Sequence, residues 1–350
     1  MDITELLNLA VEKVASDLHI IPGYHPSLRV NGELFSLKTY PELTPEMTKE
    51  MLFSILSDEK KEFLLTNREL DLGYNHGTAR FRINLYSIRG AFAGAFRLIT
   101  TKISPLESLN LPPILHNFTG IKQGFILVTG PTGEGKTTTI AAMINEINLK
   151  SSRHILTIED PIEYIYPQAR SIISQREIGQ DTHSWSVALK SALREDPDVV
   201  LIGEMRDYET IQAALTIAET GHLVFSTLHT NSVPQTIDRI VDVFPSSQQN
   251  QVRMQLASTL KAVISQRLVP TIDQKSRIPA CEILISSPAI SSIIRENKTH
   301  LIDNVLETSS DQGMLLMEQY LTNLYMEGKI SREVALYYAI RPQQIIKMIR

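Results

Sequence analysis

The stretch Gly130-Pro131-Thr132-Gly133-Glu134-Gly135-Lys136-Thr137-Thr138 constrains this chain more than any other. It fits the pattern GxxxxGK[ST] at every fixed position. It also stands between a short apolar run, Phe125 to Thr129, and a segment with helical spacing, Thr137 to Leu149. A glycine-rich turn between a strand and a helix wraps tightly enough for successive backbone N–H groups to point inward at phosphate oxygens. The helix that follows presents the positive end of its dipole to the same anion. Lys136 is the residue to reach the β- and γ-phosphates, and the Thr137 hydroxyl is placed to ligate Mg²⁺. The expected nucleotide-binding set is therefore Gly130, Thr132, Gly133, Glu134, Gly135, Lys136, Thr137 and Thr138, with ATP and Mg²⁺ as the implied cofactors.

Cleavage needs more than grip. An open α/β sheet binds its ligands at the carboxyl ends of its strands. The apolar run Ile155 to Ile158 leads into Glu159-Asp160-Pro161-Ile162-Glu163, and Val199 to Ile202 leads into Gly203-Glu204. Acids at those ends are candidates to hold a metal-bound water and to polarise the attacking one. A third apolar run, Leu223 to Thr227, is bracketed by His222 and His229, either of which could donate to a phosphate oxygen or sense it. Helical spacing at 184–193 and 209–220 alternates with these runs, so the region reads as a mostly parallel sheet covered on both faces. From Ser246 onward the pattern is mainly helical, for example over 248–263 and 313–326.

At 350 residues the chain has room for two or three domains. Acids exceed bases, 39 to 34, for a formal charge of −5, so no nucleic-acid partner is expected. One cysteine, Cys281, excludes an internal disulfide and a thiolate zinc cluster. No apolar stretch approaches the ~20 residues that span a bilayer. The first ten residues carry Asp2 and Glu5 rather than a basic region, so a secretory signal is not expected and a cytosolic location is.

Ahead of the loop, Ile3, Leu6, Leu7, Ala10, Val11 and Val14 predict an opening amphipathic helix. In 79–100, Phe81, Ile83 and Leu85 alternate with Arg80, Arg82 and Asn84, which predicts strands with Gly90 in a turn. Three prolines in 102–113 mark a linker and a domain boundary.

Taken together, GPTGEGKTT (130–138), TIEDPIEY (157–164), SQREIGQDT (174–182), ALREDPDVVLIGEMRD (192–207) and TGHLVFSTLHTNS (220–232) resemble the Walker A, Asp box, Walker B and His box of the secretion ATPase superfamily. ASDLHI (15–20), PSLRVNG (26–32), RFRINLYSIRG (80–90) and GMLLMEQYLTNLYMEGKIS (313–331) extend the likeness over essentially the whole chain, most closely to the type IV pilus retraction branch. The resemblance implies an α/β chain: a PAS-like α+β domain (1–100), a linker (101–114), a RecA-like P-loop ATPase core (115–270) and a carboxy-terminal helical region (271–350). It implies Glu163 as the general base, Glu204 at Mg²⁺ in the Walker B role, and His222 and His229 as phosphate- or interface-sensing histidines. It implies that first-domain arginines close over the triphosphate, with Arg82, Arg89 and Arg97 the matching candidates. The implied assembly is a homohexamer acting on an inner-membrane pilus platform protein of PilC-like type, cytoplasmic and peripheral at the pilus base.

Two departures from the family pattern stand out. Glu134 occupies a position usually held by a small residue, and a carboxylate there is expected to weaken phosphate affinity slightly. Ile293-Ile-Arg-Glu-Asn-Lys298 aligns with the retraction motif AIRxGK but has Ile293 for Ala and Asn297 for Gly. Asn tolerates the left-handed region, so the turn is expected to persist. Pilus assembly and type II secretion ATPases share the same core but typically carry a four-cysteine zinc module. A RecA-like nucleic-acid motor is the alternative of another class, opposed by the acidic balance and the lack of an evident aromatic–basic stacking surface.

Overall fold

The computed structural model describes residues 2–30, 32–77, 79–99 and 102–349. Asn31, Thr100 and Thr101, which fall in the PSLRVNG stretch, at the end of the expected strands and at the linker start, lie outside the described residues. The chain forms two compact units. One runs to Lys102 and takes in Pro161–Ile165; the other holds Ile103–Asp160 and everything from Tyr166 on.

The first unit is a six-stranded antiparallel sheet with the order β3-β2-β1-β6-β5-β4. Its strands are β1 (Asp17–Ile20), β2 (Ser27–Val30), β3 (Glu33–Ser36), β4 (Glu69–His76), β5 (Ala79–Ile88) and β6 (Ala91–Ile99). Helices Ile3–Glu12, Pro45–Ser54 and Asp58–Asn67 complete the α+β layer. Period-2 alternation puts Leu18, Phe96, Ile83 and Leu72 in one buried row across β1, β6, β5 and β4. They pack against Leu6, Leu7 and Leu52 of the helices. The opening helix stops short of expectation: Val14 lies beyond it at φ 50 and is exposed. The lysine C-cap ends the helix, and the chain turns there to feed β1. Arg80 also departs from the polar-out pattern. It is buried, with its guanidinium donating to Asn75 Oδ1.

The second unit is a seven-stranded sheet with the order β13-β12-β7-β11-β10-β8-β9. Its strands are β7 (Gly124–Thr129), β8 (His154–Glu159), β9 (Ile172–Glu177), β10 (Val199–Ile202), β11 (Leu223–Leu228), β12 (Leu260–Pro270) and β13 (Arg277–Ile285). All neighbours are parallel except β12 and β13. Because both faces are covered, β7, β10 and β11 are buried at every residue, which is why they read as unbroken apolar runs. One face carries helices Trp185–Ala192, Tyr208–Glu219, Val233–Asp242 and Ser246–Thr259, and helix Lys136–Lys150 lies on the other. The linker residues from Ile103 belong to this unit, with Leu106 buried in a short 3₁₀ turn.

The expectation of helix from 248 to 263 is corrected here. The helix ends at Thr259 and Leu260 begins β12, which pairs with β13 inside the supposed helical region. Apolar spacing runs smoothly across Leu256, Leu260 and Val263, so periodicity alone does not reveal the switch. Sheet pairing decides it, with Val263 and Ile264 buried between covered faces. Carboxy-terminal helices including Met317–Met326 and Pro342–Met348 then pack on β12 and β13 through Val269, Ile278, Leu321 and Ile345. β9 escaped the sequence reading because its outer-edge residues are only partly buried and carry no apolar run. Among the described residues no helix is long and apolar enough to cross a membrane.

Candidate nucleotide site

The phosphate loop follows Thr129 directly at the carboxyl end of β7, in the middle of the sheet. Its shape rests on backbone that only glycine adopts without strain. Gly130 has φ 141, and a Cβ there would stand 2.3 Å from the Gln266 carbonyl oxygen. The helices beginning at Tyr208 and Val233 have side-chain caps, Asp207 and Ser232. Helix Lys136–Lys150 starts instead at Gly135, in the left-handed region and with no capping side chain. Its first-turn amides are therefore left to the loop, the arrangement that suits an anion. The buried Lys136 ammonium donates to the carbonyls of Gly130 and Pro131, each at 2.8 Å, which keeps the cation within the loop's own concavity. Thr137 is half-buried on the first turn.

Sequence reasoning missed the residue that braces this loop. Gln266 of β12 is buried, donating from Nε2 to the Glu134 carbonyl at 2.7 Å and accepting from the Thr139 hydroxyl at 2.7 Å. Glu134, anticipated as a stray charge among phosphates, turns its carboxylate to the backbone N–H of Leu268. The departure from the family pattern is thus a second tether between loop and β12.

The acid and histidine candidates separate into those that meet the loop and those that do not. Glu204 follows β10, with one carboxylate oxygen paired to Arg206 and the other 3.3 Å from His229 Nε2. A carboxylate can only accept, so Nε2 carries the proton and Nδ1 is free to accept from the Thr132 hydroxyl, 3.4 Å away. The chain Thr132–His229–Glu204 thereby links the loop to the ends of β11 and β10.

His222 is not part of it. It precedes β11, and β11 runs parallel to β7 with Leu223 opposite Gly124 and Leu228 opposite Thr129. A six-residue strand rises roughly 20 Å, so His222 sits at the opposite edge of the sheet from the loop. There its Nδ1–H donates to the Ile217 carbonyl at 3.0 Å. Within this chain, then, His229 and not His222 lies beside the phosphate loop.

Glu163 is exposed and lies on the segment that groups with the first unit. The buried acid at the end of β8 is Glu159, which accepts from the Thr157 hydroxyl at 2.7 Å. Within the first unit, Arg82 and Arg97 face each other across β5 and β6, and Arg97, Asp17 and Arg29 continue the same row. Asp17 pairs with Arg97 at 3.1 Å and with Arg29 at 3.8 Å, and Asp71 pairs with Arg82 at 3.1 Å. Arg29, within the PSLRVNG stretch, was not singled out there; strand register is what brings it to this row. Arg89 stands apart in the β5–β6 turn, at φ 49.

Two other features of the second unit lie outside the phosphate loop. Glu107, His116 and Glu146 converge closely enough to suggest a cation site. However, Glu146 already accepts from His116, Lys150 and Thr119, which fastens Leu115–Thr119 to the loop helix. A cavity of about 440 Å³ opens between helices Trp185–Ala192 and Tyr208–Glu219, lined by Leu189, Leu193, Tyr208 and Ile217, none of them from the phosphate loop.

Residues 102–334 match the family described as type II/IV secretion system protein. The chain is 43% identical over 336 residues to the type IV pilus retractation ATPase PilT of Pseudomonas aeruginosa, covering 96% of this chain and 97% of that one. It is 40% identical over 351 residues to the type IV pilus ATPase PilU of the same organism, covering 100% and 92%. Among solved structures, the pilus retraction motor PilT with bound ADP superposes with a TM-score of 0.92 at 44% identity, over 99% of each chain.

Proposed function

Because the chain belongs to the type II/IV secretion system protein family, we propose that it is an ATP-hydrolysing motor that powers type IV pilus retraction. The observation that carries this is the braced phosphate loop joined through Thr132 and His229 to Glu204, in a chain that matches retraction ATPases end to end. The single cysteine leaves no four-cysteine zinc module of the kind expected in assembly and secretion relatives.

The proposed mechanism assigns a task to each residue. The amides of 130–138 and the Lys136 ammonium bind the triphosphate, with Lys136 exchanging its loop carbonyls for phosphate oxygens. Thr137 and Glu204 would hold Mg²⁺, Glu204 releasing Arg206 to do so; such an ion would supply neutralisation of phosphate charge. With Glu204 turned to the metal, the Nε2–H of His229 is released to donate toward the terminal phosphate. Glu163 accepts the proton of the attacking water. Arg82 and Arg97, with Arg89 the third candidate, supply guanidinium groups to the developing phosphoryl charge.

The finer assembly is part of the same reading: a homohexamer, cytoplasmic, docked on an inner-membrane platform protein of PilC-like type. Relative motion of the units over the ATP cycle would then draw pilin subunits out of the fibre base. Deleting the coding sequence in the native host and counting surface pili tests it. Accumulated, non-retracting fibres are expected, and bald cells would indicate assembly instead.

A further inference from the structure

Behind the phosphate loop, on the face opposite Gln266, lies a polar row that the mechanism above does not use. Strand register sets Thr129, Ser265 and Glu282 side by side across β7, β12 and β13. Glu282 is wholly buried, yet it is neither idle nor isolated. Its Oε1 accepts the backbone N–H of Val233 at 2.8 Å, at the start of the helix that follows the His229 segment. Its Oε2 accepts from Arg341 Nη1 at 2.7 Å. Next to it, the Thr129 hydroxyl lies 3.4 Å from that of Thr236, which lies 2.7 Å from that of Thr230, the neighbour of His229. The backbone from His229 to Val233 is thus pinned at its far end by a single buried carboxylate.

Arg341 ties that carboxylate to the last helices. It directly precedes Pro342–Met348 and donates to Asp303 at 2.8 Å from Nε, and from Nη1 to Glu318 at 3.0 Å. Glu318, also wholly buried, accepts the backbone N–H of Ile340 at 2.8 Å and that of Arg341 as well. Leaving a carboxylate in the core costs several kcal/mol unless it is paired. A fold seeking only stability would place an apolar side chain at 282, as at the buried neighbours Cys281 and Ile283. What Glu282 adds is a direct bond from the carboxy-terminal helices to the segment bearing His229.

We propose that Glu282, oriented by Arg341, is a positioning residue for His229, acting through its bond to Val233 at the far end of that segment. The proposal rests on the reading that His229 acts there. Glu318 supplies the internal control. It is as buried and shares the same arginine, but its other bonds go only to the backbone of the carboxy-terminal helices.

A double-mutant cycle on the full chain, read as steady-state ATP turnover well below each melting temperature, tests it. His229→Ala is expected to lower kcat about a hundredfold, and Glu282→Leu about tenfold with KM for ATP little changed. The double variant should match His229→Ala alone, because Glu282 acts only through the histidine. Glu318→Leu should lower the melting temperature but leave kcat within about twofold. If Glu282→Leu does not fold, Glu282→Asp, which keeps the charge but is too short to hold Val233 and Arg341 together, carries the same cycle. Losses that multiply in the double variant, or an equal loss of kcat in Glu318→Leu, overturn the positioning role. Undiminished turnover in His229→Ala overturns instead the reading on which it rests.

Discussion

Gly130 has little conformational freedom. Its φ of 141 and the 2.3 Å separation between a notional Cβ and the Gln266 carbonyl oxygen leave no room for a side chain. Gly130→Ala should destabilise the unit by about 3 kcal/mol or more, measurable as a shift in chemical denaturation midpoint. A smaller shift would mean that β12 yields. Gln266 is the matching test from the other side. Gln266→Leu strips the Glu134 carbonyl of its donor and the buried Thr139 hydroxyl of its acceptor. KM for ATP should rise about tenfold as the loop loosens, with a lesser fall in kcat. Glu163→Gln separates binding from cleavage: nucleotide affinity near wild type by calorimetry, turnover down by about a hundredfold or more. Poor binding instead would make Glu163 a structural residue or a metal ligand.

At the scale of elements, the hairpin of β5 and β6 sorts the arginine candidates. Arg82 and Arg97 are opposite one another, whereas Arg89 sits in the turn at the far end. Their ion pairs are partly exposed, so Arg82→Ala or Arg97→Ala should change stability by less than about 1 kcal/mol. Each should nonetheless slow phosphate release by at least tenfold if the guanidinium meets phosphoryl charge, and Arg89→Ala puts the third candidate to the same assay. Wild-type rates in the first two would remove this face from the mechanism. Strand direction explains the two histidines in the same way. Ligands gather at the carboxyl ends of parallel strands, and His222 precedes β11 while His229 follows it. The sequence order already contained that distinction, although bracketing alone does not separate the two. Asn297 shows an expectation that held: it takes the left-handed conformation, φ 57, just past the helix ending at Arg295, where the retraction motif has glycine.

Across the whole molecule, what was legible in the residues follows burial on two faces. Apolar runs such as Phe125 to Val128 announce central strands, and the glycine-rich loop announces its ligand. β12 and β13 were hidden because the apolar spacing of the preceding helix continues into Leu260 and Val263. Gln266 and Glu282 were hidden because a single polar residue within a strand carries no spacing signal; only register gives it neighbours. β13 is the edge of the second sheet, yet it is buried by the carboxy-terminal helices, and burial pushes the Cys281 thiol up to about 12. With so little thiolate at neutral pH, Cys281 should resist aromatic disulfide reagents in the native chain and react only as denaturant unfolds it. Rapid native labelling would show that this edge opens locally.

Release of inorganic phosphate from ATP with Mg²⁺ present, compared between the unaltered chain and Lys136→Ala, bears most directly on the motor reading. The variant removes the ammonium now lodged against the Gly130 and Pro131 carbonyls while leaving the glycines and Gln266 in place. Turnover by the unaltered chain and none above background in Lys136→Ala is the predicted result. Equal rates in the two proteins would contradict it, because the hydrolysing centre would then lie away from this loop.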